Sequence, residues 1–132
     1  MTQIQAAAPQ TKQMAVVRTL KKHQTDRMAI STTEGYVIVQ FADILYCEAM
    51  SNYCRIQLRT GQSHLVSRTL KHLQSVLPSS EFIRTHQSYL VRFDAITCAG
   101  QEIRLTNGKN IPISRSKRNA LGVFLRNSMP VV

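Results

Sequence analysis

Short apolar segments with period-two spacing, separated by turn residues, make up most of the chain from Met28 onward. In TTEGYVIVQF, Val37, Val39 and Phe41 occupy alternate positions after a turn signal at Glu34-Gly35. Side chains alternate between the two faces of a β-strand, so this spacing places the three apolar residues on one face. The same pattern recurs between successive turn signals, which is typical of an all-β domain of short strands.

Two tight turns are predicted from dipeptides between these segments. Ser51-Asn52 joins ILYCEAM to YCRIQLR, and Asn107-Gly108 is a strong hairpin signal because both of its residues tolerate positive φ. The arms around Asn107-Gly108 are predicted as Ile103–Thr106 and Lys109–Ile113. The inward-facing residues of the strand after Ser51-Asn52 are predicted as Cys54, Ile56 and Leu58.

Two segments have helical spacing instead. In SRTLKHLQSVLP, three leucines recur every three or four residues, Ser67 is the predicted N-cap and Pro78 ends the run. In SRSKRNALGVFLRN, an apolar stripe of Leu121, Phe124 and Leu125 follows a predicted cap at Ser114. The sequence therefore predicts one small amphipathic helix and one short C-terminal helix in a mainly β domain.

The predicted C-terminal helix has an unusually basic first turn, formed by Arg115, Lys117 and Arg118. Positive side chains at a helix N-terminus oppose the helix dipole. A nearby anion would remove this conflict, and a phosphate backbone is a natural candidate.

The length of 132 residues fits one domain with a tail. Residues 1–27 are rich in Ala, Pro, Gln and Thr, and we expect a flexible basic arm or an interdomain linker there. The domain is predicted over 28–127, followed by a tail at 128–132.

The net charge of +10 indicates a polyanionic partner, either nucleic acid or an acidic membrane surface. No apolar run approaches the roughly 20 residues of a membrane-spanning helix, and no secretory signal is present, so we expect a cytoplasmic protein without a membrane association. The three cysteines form no Cys-x-x-Cys pair, and the few acidic residues lack metal-ligand spacing. The sequence thus indicates no enzyme, no metal site and no cofactor.

One strand is predicted to carry clustered polar side chains. In FIRTHQSYLV, an extended backbone places Phe82, Arg84, His86 and Ser88 on one face, with Ile83 and Thr85 on the other. Such a face can contact phosphates, or it can be a solvated strand surface. Arg115, just beyond a predicted strand, could reach a guanine edge in the major groove or contact phosphate.

From Met28 to Leu125 the chain resembles the LytTR DNA-binding domain of bacterial transcriptional regulators. The resemblance rests on four ordered segments: ADILYCEAMSNYCRI, SRTLKHLQSVL, EFIRTHQSYLVR and LTNGKNIPISRS. It implies a mainly β, elongated arrangement of short antiparallel sheets and DNA binding through loops. Many such regulators carry a receiver domain before this one, so the chain is either a stand-alone regulator or a fragment that begins in a linker.

The resemblance also implies roles for individual residues. Two loops are expected to enter successive major grooves, with a third in the minor groove between them. Base contacts are expected from Gln87, from Arg115 and from the Ser51–Cys54 turn, where Asn52, Tyr53 or Cys54 is the reader. Phosphate contacts are expected from Arg84, His86, Ser88, Arg92, Lys109, Ser114, Lys117 and Arg118.

The leading hypothesis is a sequence-specific, double-stranded DNA-binding transcription regulator. The resemblance implies two copies on a direct repeat, an arrangement that allows a homodimer on the DNA. The alternative is a basic β protein-interaction module that sequesters another regulator. A sequence-tolerant RNA binder is disfavoured because it needs exposed aromatic rings. Four rings are predicted to be packed: Tyr36, Tyr46, Phe41 and Phe82.

Overall fold

The computed structural model describes residues 26–132, and within this range the chain forms ten strands and two α-helices. They are β1 (Arg27–Thr32), β2 (Gly35–Gln40), β3 (Ile44–Met50), β4 (Tyr53–Leu58), β5 (Ser63–Val66), α1 (Leu70–Val76), β6 (Phe82–His86), β7 (Tyr89–Arg92), β8 (Ile96–Ala99), β9 (Glu102–Leu105), β10 (Asn110–Pro112) and α2 (Arg115–Ser128). Short 3-10 turns at Phe41–Asp43 and Phe93–Ala95 precede β3 and β8. The predicted mainly β class is confirmed. The predicted arm lies outside the described residues except at its last two positions, where Arg27 already begins β1.

The strands form three antiparallel sheets. The central sheet has five strands in the order β5-β4-β3-β7-β6, and it is accompanied by the β1-β2 hairpin and by a three-stranded sheet in the order β10-β9-β8. All pairings are antiparallel, as expected when short connections join neighbouring strands. The predicted small antiparallel sheets are therefore confirmed.

Two hydrophobic cores lie against the five-stranded sheet. The first combines residues of β1, β2 and α1 with Ile44, Ile56 and Leu90 of the sheet. The second combines residues of β9, β10 and α2 with Leu45 and Val91 of the same sheet. Because neighbouring residues of a strand point to opposite faces, the sheet separates the two cores and contributes to both.

The strand β6 is more buried than its sequence predicts. Phe82 packs into the first core and Ile83 into the second, and Thr85 is 1% exposed. The register shifts between Arg84 and His86, where β6 bulges against β7. Phe82 is packed, as predicted, and β6 presents only Arg84 and His86 as partly exposed polar side chains.

Helix α1 begins slightly later than predicted. Its N-cap is Thr69, whose hydroxyl accepts a hydrogen bond from the His72 N–H at 3.0 Å, so the prediction of Ser67 is wrong. The predicted leucine stripe is confirmed, because Leu70, Leu73 and Leu77 are all buried in the first core. These contacts fix the helix against the sheet.

The Asn107-Gly108 turn joins β9 to β10, close to the predicted arms. Gly108 has a φ of +88°, whereas Asn107 keeps a negative φ and its side-chain oxygen accepts a hydrogen bond from the Lys109 N–H at 3.0 Å. After β10 the chain enters α2, whose predicted stripe packs against the second core. No helix of the described residues is long and apolar enough to cross a membrane.

Candidate nucleic-acid interface

One end of the five-stranded sheet gathers three loop regions. The β3–β4 turn and the β6–β7 turn lie side by side there, and the Ala49 N–H donates to the Ser88 carbonyl at 2.8 Å. The start of α2 joins them, because the Ser114 N–H donates to the Thr85 carbonyl at 2.8 Å. We name this surface, formed by residues 51–53, 86–88 and 114–118, the turn end.

A polar groove of about 390 Å³ lies at the turn end. Its walls are formed by Gln74, Arg84, His86, Gln87, Ser114, Ser116 and Lys117. The lining includes two cationic side chains and no carboxylate, so the groove suits an anion. The sequence predicted five of these residues as DNA contacts but missed Gln74, whose position depends on how α1 packs, and Ser116.

Arg84 lies half-buried in this groove, and its guanidinium donates hydrogen bonds to acceptors within the protein. Its Nε donates to the His86 carbonyl at 3.0 Å and its Nη2 to the Gln87 carbonyl at 2.6 Å. Its Nη1 donates to the side-chain oxygen of Gln74 at 2.9 Å. The guanidinium therefore ties the β6–β7 turn to α1.

The β6–β7 turn presents groups of different kinds. The Ser88 N–H donates to Nδ1 of His86 at 3.1 Å, which assigns the proton of a neutral His86 ring to Nε2. Nε2 is then a donor on a partly exposed ring. The side chain of Gln87 is exposed at the tip of the turn.

The β3–β4 turn has a tight backbone, with Ser51 at a φ of +57°. Asn52 is exposed, and Tyr53 is 49% exposed at the start of β4. Cys54 is 1% exposed and packs in the first core, so its prediction as a base reader is wrong. Asn52 and Tyr53 are left as the candidates on this turn.

The start of α2 is basic and only partly engaged. Arg115 and Arg118 are exposed, while Lys117 is half-buried along the groove. Ser114 is the N-cap, as predicted, but its hydroxyl caps no helix N–H and lies 3.4 Å from the hydroxyl of Ser116. The exposed guanidinium groups of Arg115 and Arg118 can donate to an anion here.

Arg92 is 3% exposed, so its predicted phosphate contact is wrong. Its Nε donates to the Ile44 carbonyl at 2.7 Å, and its Nη2 donates to the Phe41 carbonyl. Nη1 lies 3.3 Å from a carboxylate oxygen of Glu81, and the guanidinium stacks 4.7 Å from the centre of the Phe82 ring. Arg92 therefore has a structural role, in which it joins β7 to the start of β3 and the turn before it.

Lys109 is exposed, but the structure places it away from the turn end. It lies on the β9–β10 turn, which is held by the Thr106 N–H donating to the Ala95 carbonyl at 2.9 Å. Ala95 follows the end of β7 that is farther from the β6–β7 turn. Lys109 is thus separate from the groove.

Aromatic exposure differs from the prediction at one position. Tyr46, Phe41 and Phe82 are each 5% exposed, which confirms that they are packed. Tyr36 is 75% exposed on the β1-β2 hairpin, so its predicted packing is wrong. The alternation of side chains along β2 already places Tyr36 on the face that does not carry Val37 and Val39.

The three cysteines do not come together as a site. Cys47 and Cys54 are buried and Cys98 is exposed on β8, and the described residues contain no group of three or more His, Cys, Asp or Glu placed to hold a metal ion. Burial raises the pKa of the Cys47 thiol to about 12, with the neighbouring Cys54 adding to the shift. Burial also raises the pKa of Cys54. Both thiols are therefore protonated and shielded at neutral pH.

We expect one fast thiol in the folded protein. At pH 8, Cys98 should react with a thiol-reactive disulfide reagent as fast as an unhindered thiol does. Cys47 and Cys54 should react only at the rate at which the fold opens. The measurement is the absorbance of released thiolate, in buffer and in concentrated urea, where all three should react. A Cys98→Ser variant is the control, and a second fast thiol in the folded protein would contradict the burial of this pair.

Comparison with known proteins places these features in context. The family model described as the LytTr DNA-binding domain matches residues 34–125. The chain is 30% identical to the sensory transduction protein LytT of Bacillus subtilis (strain 168) over 105 residues, 75% of this chain and 43% of that protein. It is 24% identical to LytT of Bacillus anthracis over 107 residues, 76% of this chain and 43% of the relative. The chain thus spans less than half the length of these relatives.

A solved structure has the same fold. It is the LytTr DNA-binding domain of a Bacillus cereus protein described as a methyl-accepting/DNA response regulator, and it superposes with a TM-score of 0.65. The match covers 76% of this chain and 96% of that chain at 22% sequence identity. At this identity the likeness establishes the arrangement of the sheets and leaves the individual side-chain roles to the geometry of the turn end.

Proposed function

The chain belongs to the LytTR family of DNA-binding domains, and from this premise we propose that it is a transcription regulator that binds double-stranded DNA in a sequence-specific way through the turn end. The observation that carries the proposal is the convergence of three loop regions at the turn end, where two of them, together with Gln74 of α1, line a groove that has two cationic side chains and no carboxylate. Loops held by a rigid sheet are suited to binding, because the sheet fixes their spacing.

We assign base reading to exposed side chains on the three loops. Asn52 and Tyr53 are available on the β3–β4 turn, Gln87 on the β6–β7 turn and Arg115 at the start of α2. An amide side chain can pair bidentately with adenine, and an arginine can pair with guanine. Because these residues lie on separate loops, they can enter different grooves of one duplex.

Phosphate contacts hold the domain in register on the duplex. The residues available for this role at the turn end are His86, Ser88, Ser114, Lys117 and Arg118. Lys109 serves as a peripheral contact in this proposal, since it lies on a different turn. Cationic side chains that neutralise phosphates release counterions, so affinity should fall steeply as salt rises.

The proposal includes two copies of the domain on a direct repeat in the cytoplasm. A single module offers three or four base readers on three short loops, which limits the affinity it can reach alone. Two linked sites on one duplex raise the overall affinity through effective concentration. We expect the regulator to act as a homodimer that forms on the DNA.

Selection of duplexes from a random library tests this function. We expect a paired motif to be enriched, and its binding, followed by fluorescence anisotropy at two salt concentrations, should exceed that of a scrambled duplex at both. Recovery of unrelated sequences whose binding vanishes at the higher salt would contradict sequence-specific binding. It would instead favour the alternative of a basic β module that binds another regulator, which predicts no duplex preference.

A further inference from the structure

We propose that Arg84 and Gln74 form a positioning pair that holds the β6–β7 turn in the shape that presents Gln87 to DNA. This inference rests on the proposed function for its consequence in DNA binding, but its structural part concerns the free protein. The sequence predicts a phosphate contact for Arg84 and no role for Gln74.

The contacts of Arg84 define the turn. Its Nε and Nη2 donate to the carbonyls of two consecutive residues, His86 at 3.0 Å and Gln87 at 2.6 Å. A planar guanidinium sets the distance and angle between the two acceptors, because its donors form a rigid fork. The two peptide planes that flank the Gln87 Cα are therefore both held from inside the turn.

The third contact connects this fork to a fixed element. Nη1 of Arg84 donates to the Gln74 side chain at 2.9 Å, and Gln74 lies on α1, which is anchored by Leu70 and Leu73 in the first core. The guanidinium is thus held at one side by a packed helix and at the other by the turn. The position of Gln87 is defined relative to the core through this chain of contacts.

The bulge of β6 makes the contact geometrically accessible. The register shifts between Arg84 and His86, and Thr85 turns into the protein interior at 1% exposure. Bulges bend a strand and redirect its side chains. Here the bend brings the carbonyls of His86 and Gln87 within reach of the Arg84 side chain.

The same contacts argue against phosphate binding as the main role of Arg84. At least three of its five N–H groups already have acceptors within the protein, and its side chain is only partly exposed. A turn that is ordered before binding loses less conformational entropy when it meets the duplex. Arg84 then contributes to selectivity through Gln87 and contributes little as a free cation.

Gln74→Ala distinguishes a positioning role of Arg84 from phosphate binding, because the substitution disturbs the pair without removing a charge. Gln74 is exposed on a helix where alanine is favourable, so the variant should fold. We expect the ratio of affinities between the selected duplex and a duplex changed at the base pair read by Gln87 to fall roughly 3- to 10-fold, a fraction of one base contact. The dependence of affinity on salt should stay the same. The matched control is Gln101→Ala, an exposed glutamine on the β8–β9 turn, which should change neither quantity.

Arg84→Lys tests the fork while keeping the charge. One ammonium cannot reproduce the planar pattern of donors, so the same ratio should fall at least as far as in Gln74→Ala. Arg126→Lys, at an exposed position near the end of α2, is the control. In the Gln87→Ala background both effects should disappear, because residues that act as a unit are not additive. Unchanged selectivity in Gln74→Ala would overturn the positioning role.

The structural part is tested without DNA. Backbone relaxation measured by NMR should show lower order parameters at residues 86–88 in Gln74→Ala than in the parent protein, with residues 51–53 unchanged. Equal order in the two proteins would overturn the proposal. If duplex selection recovers no motif, the proposed function fails, while this comparison still decides whether the pair orders the turn.

Discussion

Replacing Arg92 with alanine should lower the free energy of unfolding by roughly 3–5 kcal/mol. The guanidinium satisfies the buried carbonyls of Ile44 and Phe41 and packs over the Phe82 ring. Its removal takes the side-chain donor from both carbonyls, of which that of Phe41 keeps the Ile44 N–H, and opens a cavity at the edge of the first core. Urea unfolding followed by circular dichroism gives the change directly.

Arg59→Ala is the matched control for this experiment. Arg59 also donates to a backbone carbonyl, that of Ala42 at 2.7 Å, and lies 3.7 Å from Asp94, but its side chain is 44% exposed. Water replaces its contacts, so the loss should stay below about 1 kcal/mol. Equal losses in the two variants would contradict the structural role of Arg92. At low temperature, folded Arg92→Ala should retain the salt dependence of DNA binding, because Arg92 contacts no phosphate.

Replacing Arg115 with alanine should cost about 1–3 kcal/mol in binding to the selected duplex, which is roughly a 5- to 150-fold loss of affinity. Arg115 is exposed at the first position of α2 and can reach a base edge. The loss should concern one base pair, so repeating the selection with the variant should return a motif that is degenerate at that position.

Lys117→Ala provides the contrast on the same helix. Lys117 lies along the groove, where it can neutralise a phosphate. Its replacement should weaken all duplexes alike and reduce the slope of log affinity against log salt by about one. Arg126→Ala, about 14 Å farther along the helix than Lys117, controls for the loss of one positive charge. Equal losses for Arg115→Ala on selected and scrambled duplexes would remove Arg115 from base reading.

Much of the fold follows from patterns within single segments. The alternation of Val37 and Val39, the leucines of α1 and the Asn107-Gly108 turn each depend on local geometry, and the structure agrees with them. The N-cap of α1 was missed by two residues, because Ser67 and Thr69 carry equivalent hydroxyls and only the packing of the leucines selects between them.

The roles of the site residues depend on contacts that no single segment determines. Arg92 is basic and ends the strand β7, yet its guanidinium donates to the carbonyls of Phe41 and Ile44, which are far away in the sequence, so its burial is a tertiary property. Cys54 is adjacent to an exposed turn, but strand alternation already predicted it to face inward, and that prediction was the better guide. Gln74 was missed because its partner, Arg84, is ten residues away and the bulge of β6 determines their approach.

The two cores share one sheet, and this limits how the domain can be divided. Residues 44–47 of β3 are divided between the cores, with Ile44 and Cys47 in the first and Leu45 and Tyr46 in the second. Any fragment that retains one core intact therefore exposes residues that line the other. Neither half can be expected to fold alone, and the domain should unfold in a single transition. Deletions inside β3 would exchange the residues of both cores at once, whereas the loops at the turn end can change length or identity with little effect on either. Exchange of these loops between related domains is therefore a practical route to new target sequences on an unchanged frame.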